Sequence, residues 1–484
     1  MLSATVVGQD TVSTTQVTAH AAQFVRRTRY ADLPHGLVDM ALRCITDTTG
    51  LYVAGLSERS TQIIVEAARH DGGRPDSLLL GTGQRVPAQA AARALGISAH
   101  AHDFDDTQVS HDPAHVYGLL THPSAAPLSA SIAVADMLKT DSAEAFLAAF
   151  CVGFEVSCKI SEWMLPDHYR RGHHSSGTVA TFGAAAAAAH LLELDEEQVT
   201  HALGIAAATA AGIRANFGTM AKPLHVGRAS ENGVFAALLA QRGFTADPQA
   251  LDGRWGFASV LAGGFSREKL TQGFGETWSM LNPGVSIKPY PSGILTHQAM
   301  DMVRELVNRT DLHPEAVERI DFHAGNNILE PIRYDVAENG LQAKFSMAAL
   351  IAMLVLFRRA GIPEFEDHVI RDERFQAMQR RISTHSDATI NAMGFDTIRS
   401  RIEITLKDGS VLTAESDPRY RGGPLLPMTQ TDLEEKFRSC AHTASRAQQD
   451  NLLGSIADLR RHGASPRSYL DSLAAVRLPE QAFV

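Results

Sequence analysis

From about residue 17 to residue 270 the apolar and polar positions follow a helical pattern, and alanine dominates the apolar ones. Asp141-x-x-Glu144 and Asp195-x-x-Gln198 fit the capping box, in which a side-chain oxygen accepts an amide three residues on and that residue reciprocates; each predicts a helix start. The runs Ala184–Ala189 and Ala206–Ala211 either let helices approach closely in a bundle or simply reflect alanine's helix propensity. The pattern changes after about residue 275. Ala316–Ala324 (AVERIDFHA) reads as a helix end followed by a strand. Arg401–Leu406 alternates as a strand does, Asp408-Gly409 supplies a hairpin turn, and Val411–Ala414 returns. A helical block at roughly 342–360 lies between these strands, and helical spacing resumes from Thr431. The absence of a repeat of about 20–50 residues argues against a solenoid.

Composition adds limits. The 484 residues are 44% hydrophobic and 20% charged, enough for a large core and for two domains. A net charge of −10 argues against nucleic-acid or anionic-membrane partners, so an anionic substrate needs a locally basic pocket. Cys44, Cys151, Cys158 and Cys440 form no C-x-x-C pair, which suits a reducing, cytoplasmic setting. Met1–Gln16 is polar and has no secretory pattern. The longest apolar run, Met347–Phe357, is about half of the ~20 residues a membrane span needs.

The densest polar cluster is Ala101–Ser124, with His102, His111, His115 and His122 beside Asp103, Asp105, Asp106 and Asp112. Imidazole and carboxylate suit a metal, but the spacing is irregular and no H-E-x-x-H motif occurs, so no metal is expected. A different pattern recurs four times. His122 precedes Pro123 and an apolar helix, His174 precedes Ser175 and an alanine-rich helix, Lys222 precedes Pro223, and Lys288 opens KPYPSG ahead of another helix. Four basic residues thus sit just upstream of helix starts, where unpaired amides attract anions. If they converge, they form a site for several carboxylates, suited to proton transfer beside a carboxylate with histidine as acid or base. Gly81-Thr82-Gly83 resembles a dinucleotide loop but lacks the third glycine, and Pro87 occupies the helix entry. With no phosphate loop and no G-x-S-x-G elbow, no organic cofactor is expected.

At these residues the chain resembles the MmgE/PrpD family. The resemblance rests on His102–Thr107 (HDFDDT), Thr121–Ser124 (THPS), Gly153–Val156 (GFEV), His174 with Ala180–Gly183 (ATFG), Lys222–Gly227 (KPLHVG) and Lys288–Pro291 (KPYP), collinear over nearly the whole chain. It implies a mainly α protein: a large all-helical domain from residues 1–275 rejoined by 426–484, and a smaller α+β lid over 276–425. It further implies a homodimer, no cofactor, and an active site between the domains. His122, His174, Asp103 and Lys222 are the implied catalytic positions, with Thr107, Lys288 and Tyr334 contacting a small polycarboxylate. The implied activity is 2-methylcitrate dehydratase-like, with cis-aconitate decarboxylation or an iminodisuccinate-type epimerisation as alternatives; a non-catalytic helical binding protein is a third reading. Some decarboxylase-type members carry a histidine where this chain has Ser292-Gly293, and Gln108–Leu120 is longer than in those members.

Overall fold

The structure is a computed structural model, and it describes residues 17–109, 120–164, 167–262 and 273–477. Its helices of eight residues or more begin with α1 (Val17–Arg27), α2 (Leu37–Gly55), α3 (Arg59–Asp71), α4 (Ala88–His100), α5 (Ala125–Leu138) and α6 (Ala143–Met164). The helical run continues through α7 (Ser175–Leu191), α8 (Glu196–Thr209) and α9 (Ala221–Gln241). Asp195 and Gln198 close the expected capping box on α8. Asp141 does not cap α6: the helix starts at Ala143, and the amide of Ala145 donates to Ser142 Oγ instead.

The two alanine runs separate. Ala184–Ala189 lie at the heart of the bundle and are wholly buried. There α7 packs against α5, α6 and α9. A Cβ on Gly153 would stand 2.6 Å from the Gly183 carbonyl, so α6 and α7 touch backbone to backbone. Ala206–Ala211 instead straddle the end of α8 and grow exposed, which fits helix propensity alone.

The later part of the chain mixes helix and sheet. α10 (His297–Arg309) and α11 (Met347–Phe357) pack on each other and on a sheet of order β4-β3-β5-β6. The strands are β3 (Val317–Ala324), β4 (Ile382–Ser386), β5 (Ser400–Leu406) and β6 (Val411–Glu415). β5 and β6 form the expected hairpin, with Gly409 at φ +86° in its turn. β4 pairs parallel with β3 after a long helical crossover. α11 is apolar on every side and almost entirely buried. The last helices are α12 (Gln430–Cys440), α13 (Arg446–Asp458) and α14 (Arg467–Ala474), and they return to the first helices: α12 and α13 pack on α2, and α14 meets α5.

The Gly81-Thr82-Gly83 segment is the turn of a small hairpin of β1 (Ser77–Leu78) and β2 (Arg85–Val86), with both glycines at positive φ. Its conformation is explained by the turn and not by a phosphate. Among the described residues no helix is long and apolar enough to cross a membrane. The four cysteines are free and buried.

Candidate active site

α4 ends at His100, and the chain then turns through residues 101–107. Asp103 adopts φ +51°, an uncommon conformation for a residue with a side chain, so the surroundings must hold it. Three buried lysines from distant segments do so by donating to three consecutive carbonyls. Lys344 Nζ bonds the His102 carbonyl at 3.0 Å, Lys288 Nζ that of Asp103 at 2.8 Å, and Lys436 Nζ that of Phe104 at 2.8 Å. Lys436 also pairs with Asp47 at 2.6 Å and lies 4.0 Å over the Phe104 ring. Segments before β3, after β3 and in α12 therefore grip one loop.

The Asp103 carboxylate is the centre of the site. Its Oδ1 accepts from Lys288 Nζ at 2.8 Å and lies 3.1 Å from Lys222 Nζ and 3.6 Å from His122 Nε2. Lys222 Nζ donates to His100 Nε2 at 2.7 Å. On its other side His100 Nδ1 meets both oxygens of Asp105, at 2.8 and 2.9 Å, and Asp105 Oδ2 is 3.2 Å from His122 Nδ1. The result is a buried chain Lys222–His100–Asp105–His122. His174, the N-cap of α7, stacks 5.7 Å from His100, and its edge meets Phe217. These groups open on a cavity of about 40 Å³ lined by Asp103, Thr107, His122, His174 and Lys222 and, from the α+β part, Gly293 and Phe345. That is the space of roughly one water molecule.

Burial sets the protonation states. It pulls His100 down to about 3 against the opposing Asp105 carboxylate, with Lys222 adding to the fall. Burial and then Lys222 hold His174 well below its ordinary value. For Asp103 burial works the other way, but Lys222 and Lys288 outweigh it and keep the carboxyl ionised. Asp105 is likewise kept ionised against burial by its two imidazole partners. Lys222 is drawn down by burial despite Asp103.

These shifts predict how stability follows pH. His100 and His102 both fall to about 3 in the fold, so below their unfolded value of ~6.5 the unfolded chain binds the extra protons. Stability is then lost as pH drops from about 6.5 toward 3, by up to ~1.4 kcal/mol per unit for each histidine. Asp106 and Glu155, raised by burial to about 7, act in the opposite sense, because their protonated forms belong to the fold and they lose stability as pH rises. His174 and His297, both held well below their ordinary value, add to the histidine side, so the expected outcome is a lower melting temperature at pH 5 than at pH 7. A flat or rising profile over that window would contradict the neutral, buried histidines.

His100, Asp103, Asp105 and His122 present ligand atoms within 4.8 Å of one another, which raises the metal question again. The donor set does not fit one. Lys222 already donates to His100 and stands beside Asp103, as does Lys288, so two ammonium groups occupy the approach a cation would need. A further dication there meets like-charge repulsion of the order of ~4 kcal/mol per unit-charge pair at 4 Å.

Of the residues expected from sequence, Asp103, Thr107, His122, His174 and Lys222 line the one cavity. Three placements differ from expectation. Lys222 lies inside the first turn of α9, not ahead of it, because Pro223 is tolerated where amides have no helical partner. Lys288 is fully buried behind Asp103, and its three donors go to the Asp103 carbonyl, Asp103 Oδ1 and the Ser292 carbonyl, which leaves none for a substrate. Tyr334 is absent from the cavity lining; its hydroxyl donates to the Phe217 carbonyl at 3.1 Å and fastens residues 331–334 to the loop before α9. His111, His115 and most of Gln108–Leu120 lie outside the described residues. Sequence reasoning passed over His100, Asp105, Lys344 and Lys436 as site residues. Only Asp105 carried a local signal, as one of the acids around Asp103.

The MmgE/PrpD N-terminal domain matches residues 19–269 and the MmgE/PrpD C-terminal domain residues 290–459. Cis-aconitate decarboxylase of Homo sapiens is 29% identical over 88% of this chain and 88% of its own length. The Mus musculus protein of the same name is 28% identical over 88% and 86%. 2-Methylcitrate dehydratase of Cupriavidus necator is 24% identical over 92% of this chain and 95% of its own. The two domain matches follow one another in order and cover most of the chain, and so the chain belongs to the MmgE/PrpD family.

Proposed function

We propose that the chain is a cofactor-independent lyase that moves a proton at a carbon next to a carboxylate of a small polycarboxylic acid. The observation that carries this reading is the meeting of Lys222, His122 and His174 around the clamped Asp103 in one buried cavity. Lys222 uses two donors on His100 and Asp103, and its third has no hydrogen-bond partner among the described residues and can take a substrate carboxylate. The His122 Nδ1–H donates to Asp105, which leaves the Nε2 lone pair as proton acceptor; its 3.6 Å separation from Asp103 is too long for a hydrogen bond. Asp103 is held by two ammonium groups and serves to fix them. A polycarboxylate is several times larger than the present cavity, so the wall formed by Gly293–Leu295, Pro331, Ile332 and Phe345 has to yield to admit it.

In dehydration of a 2-methylcitrate-like acid, His122 takes the proton from the carbon beside the carboxylate. The C–O bond to the hydroxyl breaks, the neutral His174 steadies the departing oxygen with a hydrogen bond, and the proton that His122 took leaves with it as water. Lys222 stabilises the enolate-like charge that develops. Dehydration comes first because the resemblance implies a histidine in some decarboxylase-type members where this chain has Ser292-Gly293, and Gly293 lines the cavity. The names of the relatives favour a second reading: loss of CO2 from a cis-aconitate-like acid, with a proton delivered to the carbon left behind. Incubation with citrate, 2-methylcitrate, cis-aconitate and iminodisuccinate separates the readings. Dehydration raises ultraviolet absorbance from a new C=C bond without CO2, decarboxylation releases CO2, and epimerisation changes only chirality. Turnover of none of the four would overturn the proposal.

A further inference from the structure

We propose that His225 is a positioning residue that holds His174 in the tautomer with its proton on Nε2, so that His174 offers the cavity an N–H donor. His174 Nδ1 lies 3.0 Å from His225 Nδ1. Two neutral imidazoles share such a contact only if one nitrogen carries the hydrogen and the other the lone pair. The direction is set from the far side. His225 Nε2 faces Asn216 Nδ2 at 3.4 Å, and an amide NH2 only donates, so Nε2 is the acceptor and the His225 proton sits on Nδ1. That proton is donated to His174 Nδ1, and the proton of His174 is therefore on Nε2. His174 Nε2 has no hydrogen-bond partner among the described residues, and the ring lines the cavity.

The backbone is shaped for this pair. A Cβ on Gly177 would come within 2.6 Å of the Ala211 carbonyl and 2.9 Å of His225 Cβ, and Gly212 leaves room between the two rings. His225 sits one turn beyond Lys222 on α9, so one helix face presents both. Burial and then Lys222 lower His225 to about 4, which keeps the contact one between neutral rings near pH 7. An Nε2–H on the neutral His174 suits it to donate a hydrogen bond to the substrate, while His122, with Nδ1 turned to Asp105, accepts the proton. This division of labour rests on the lyase reading; the tautomer itself does not.

The test is nitrogen-15 NMR of the full chain labelled at histidine, without substrate, using His174→Gln to assign the His174 signals. The expected result is the Nε2–H tautomer in the wild type. His225→Phe, which keeps a ring but no donor, should shift His174 to a tautomer mixture. It should also lower kcat by ~10–100-fold with KM little changed, the range seen when an orienting partner is removed. His225→Asn places an amide N–H near the lost Nδ1 and should recover most of both signals. A wild-type His174 protonated on Nδ1, or a His225→Phe protein with unchanged tautomer and kcat, would overturn the proposal. If His225→Phe does not fold, the wild-type spectrum and the Asn variant decide the matter. Because the spectrum needs no substrate, an Nε2–H signal in a protein that turns over none of the acids supports this inference while refuting the lyase.

Discussion

His122→Ala is expected to lower turnover by ~10²–10⁴-fold, the range for loss of a general acid or base. The ring is nearly buried, Asp105 holds its Nδ1 at 3.2 Å, and Nε2 is left beside the cavity, 3.6 Å from the Asp103 carboxylate that also meets Lys222. A cap-position histidine of simple structural kind would have neither the carboxylate behind it nor the cavity in front. Removing the side chain also takes one donor from Asp105, so a modest fall in melting temperature accompanies the loss. His122→Asn separates the two effects, since its amide can still donate to Asp105 but has no lone pair at the Nε2 position. Equal loss of activity in both variants, with stability restored in the second, is the expected pattern. His174→Ala is expected to fall in the same activity range. Near-normal turnover in either alanine variant would remove that histidine from the reaction.

Lys288→Met should destabilise the protein by ~3–5 kcal/mol, the cost of breaking a buried ion pair from one side. Its ammonium is wholly inside the protein and bonds a carboxylate and two carbonyls, all of which lose their partner. Asp103 would retain Lys222 alone, in a backbone conformation that depends on outside support. Since typical stabilities are about 5–15 kcal/mol, this loss should be plain in a urea or thermal melt. The expectation from resemblance was different: Lys288 as a substrate contact, whose loss weakens binding and leaves the fold intact. A variant with an unchanged melt and a raised KM would restore that assignment.

Much of this architecture is written in local patterns. The capping box at Asp195, the hairpin around Asp408-Gly409 and the helix after Ser346 all depend on residues a few positions apart, and each stands where the pattern put it. The mainly helical fold with a smaller α+β part follows from the same periodicities. β4 was not foreseen, because Ile382–Ser386 is short and polar and only Ile382 is buried, so no alternation marks it. At α6 the start moved by a residue because Ser142 competes with Asp141 for the cap.

The site shows the same division. Each of His122, His174, Lys222 and Asp103 stood in a motif of its own, and their convergence was a conditional inference that the fold satisfies. The lysine clamp on His102, Asp103 and Phe104 joins residues more than 180 positions apart, a distance over which no sequence pattern speaks. His100 escaped notice because it reads as the last residue of an alanine-rich helix; only its burial between Lys222 and Asp105 gives it a role.

Proton exchange into deuterium oxide tests the central claim most directly. Decarboxylation and epimerisation deliver a proton to a carbon beside a carboxylate and so leave deuterium there, whereas dehydration takes the proton from that carbon and its signal is lost as the C=C bond forms. The enzyme, treated with EDTA and dialysed, should be mixed in turn with citrate, 2-methylcitrate, cis-aconitate and iminodisuccinate and followed by proton NMR. The expected result is loss of the proton from that carbon or uptake of deuterium there in at least one acid or its product, at an undiminished rate after EDTA and nearly abolished in His122→Ala. Neither proton loss nor deuterium uptake with any of the four, or a reaction that EDTA abolishes and a divalent ion restores, would contradict a lyase that works with Lys222, His122 and His174 alone.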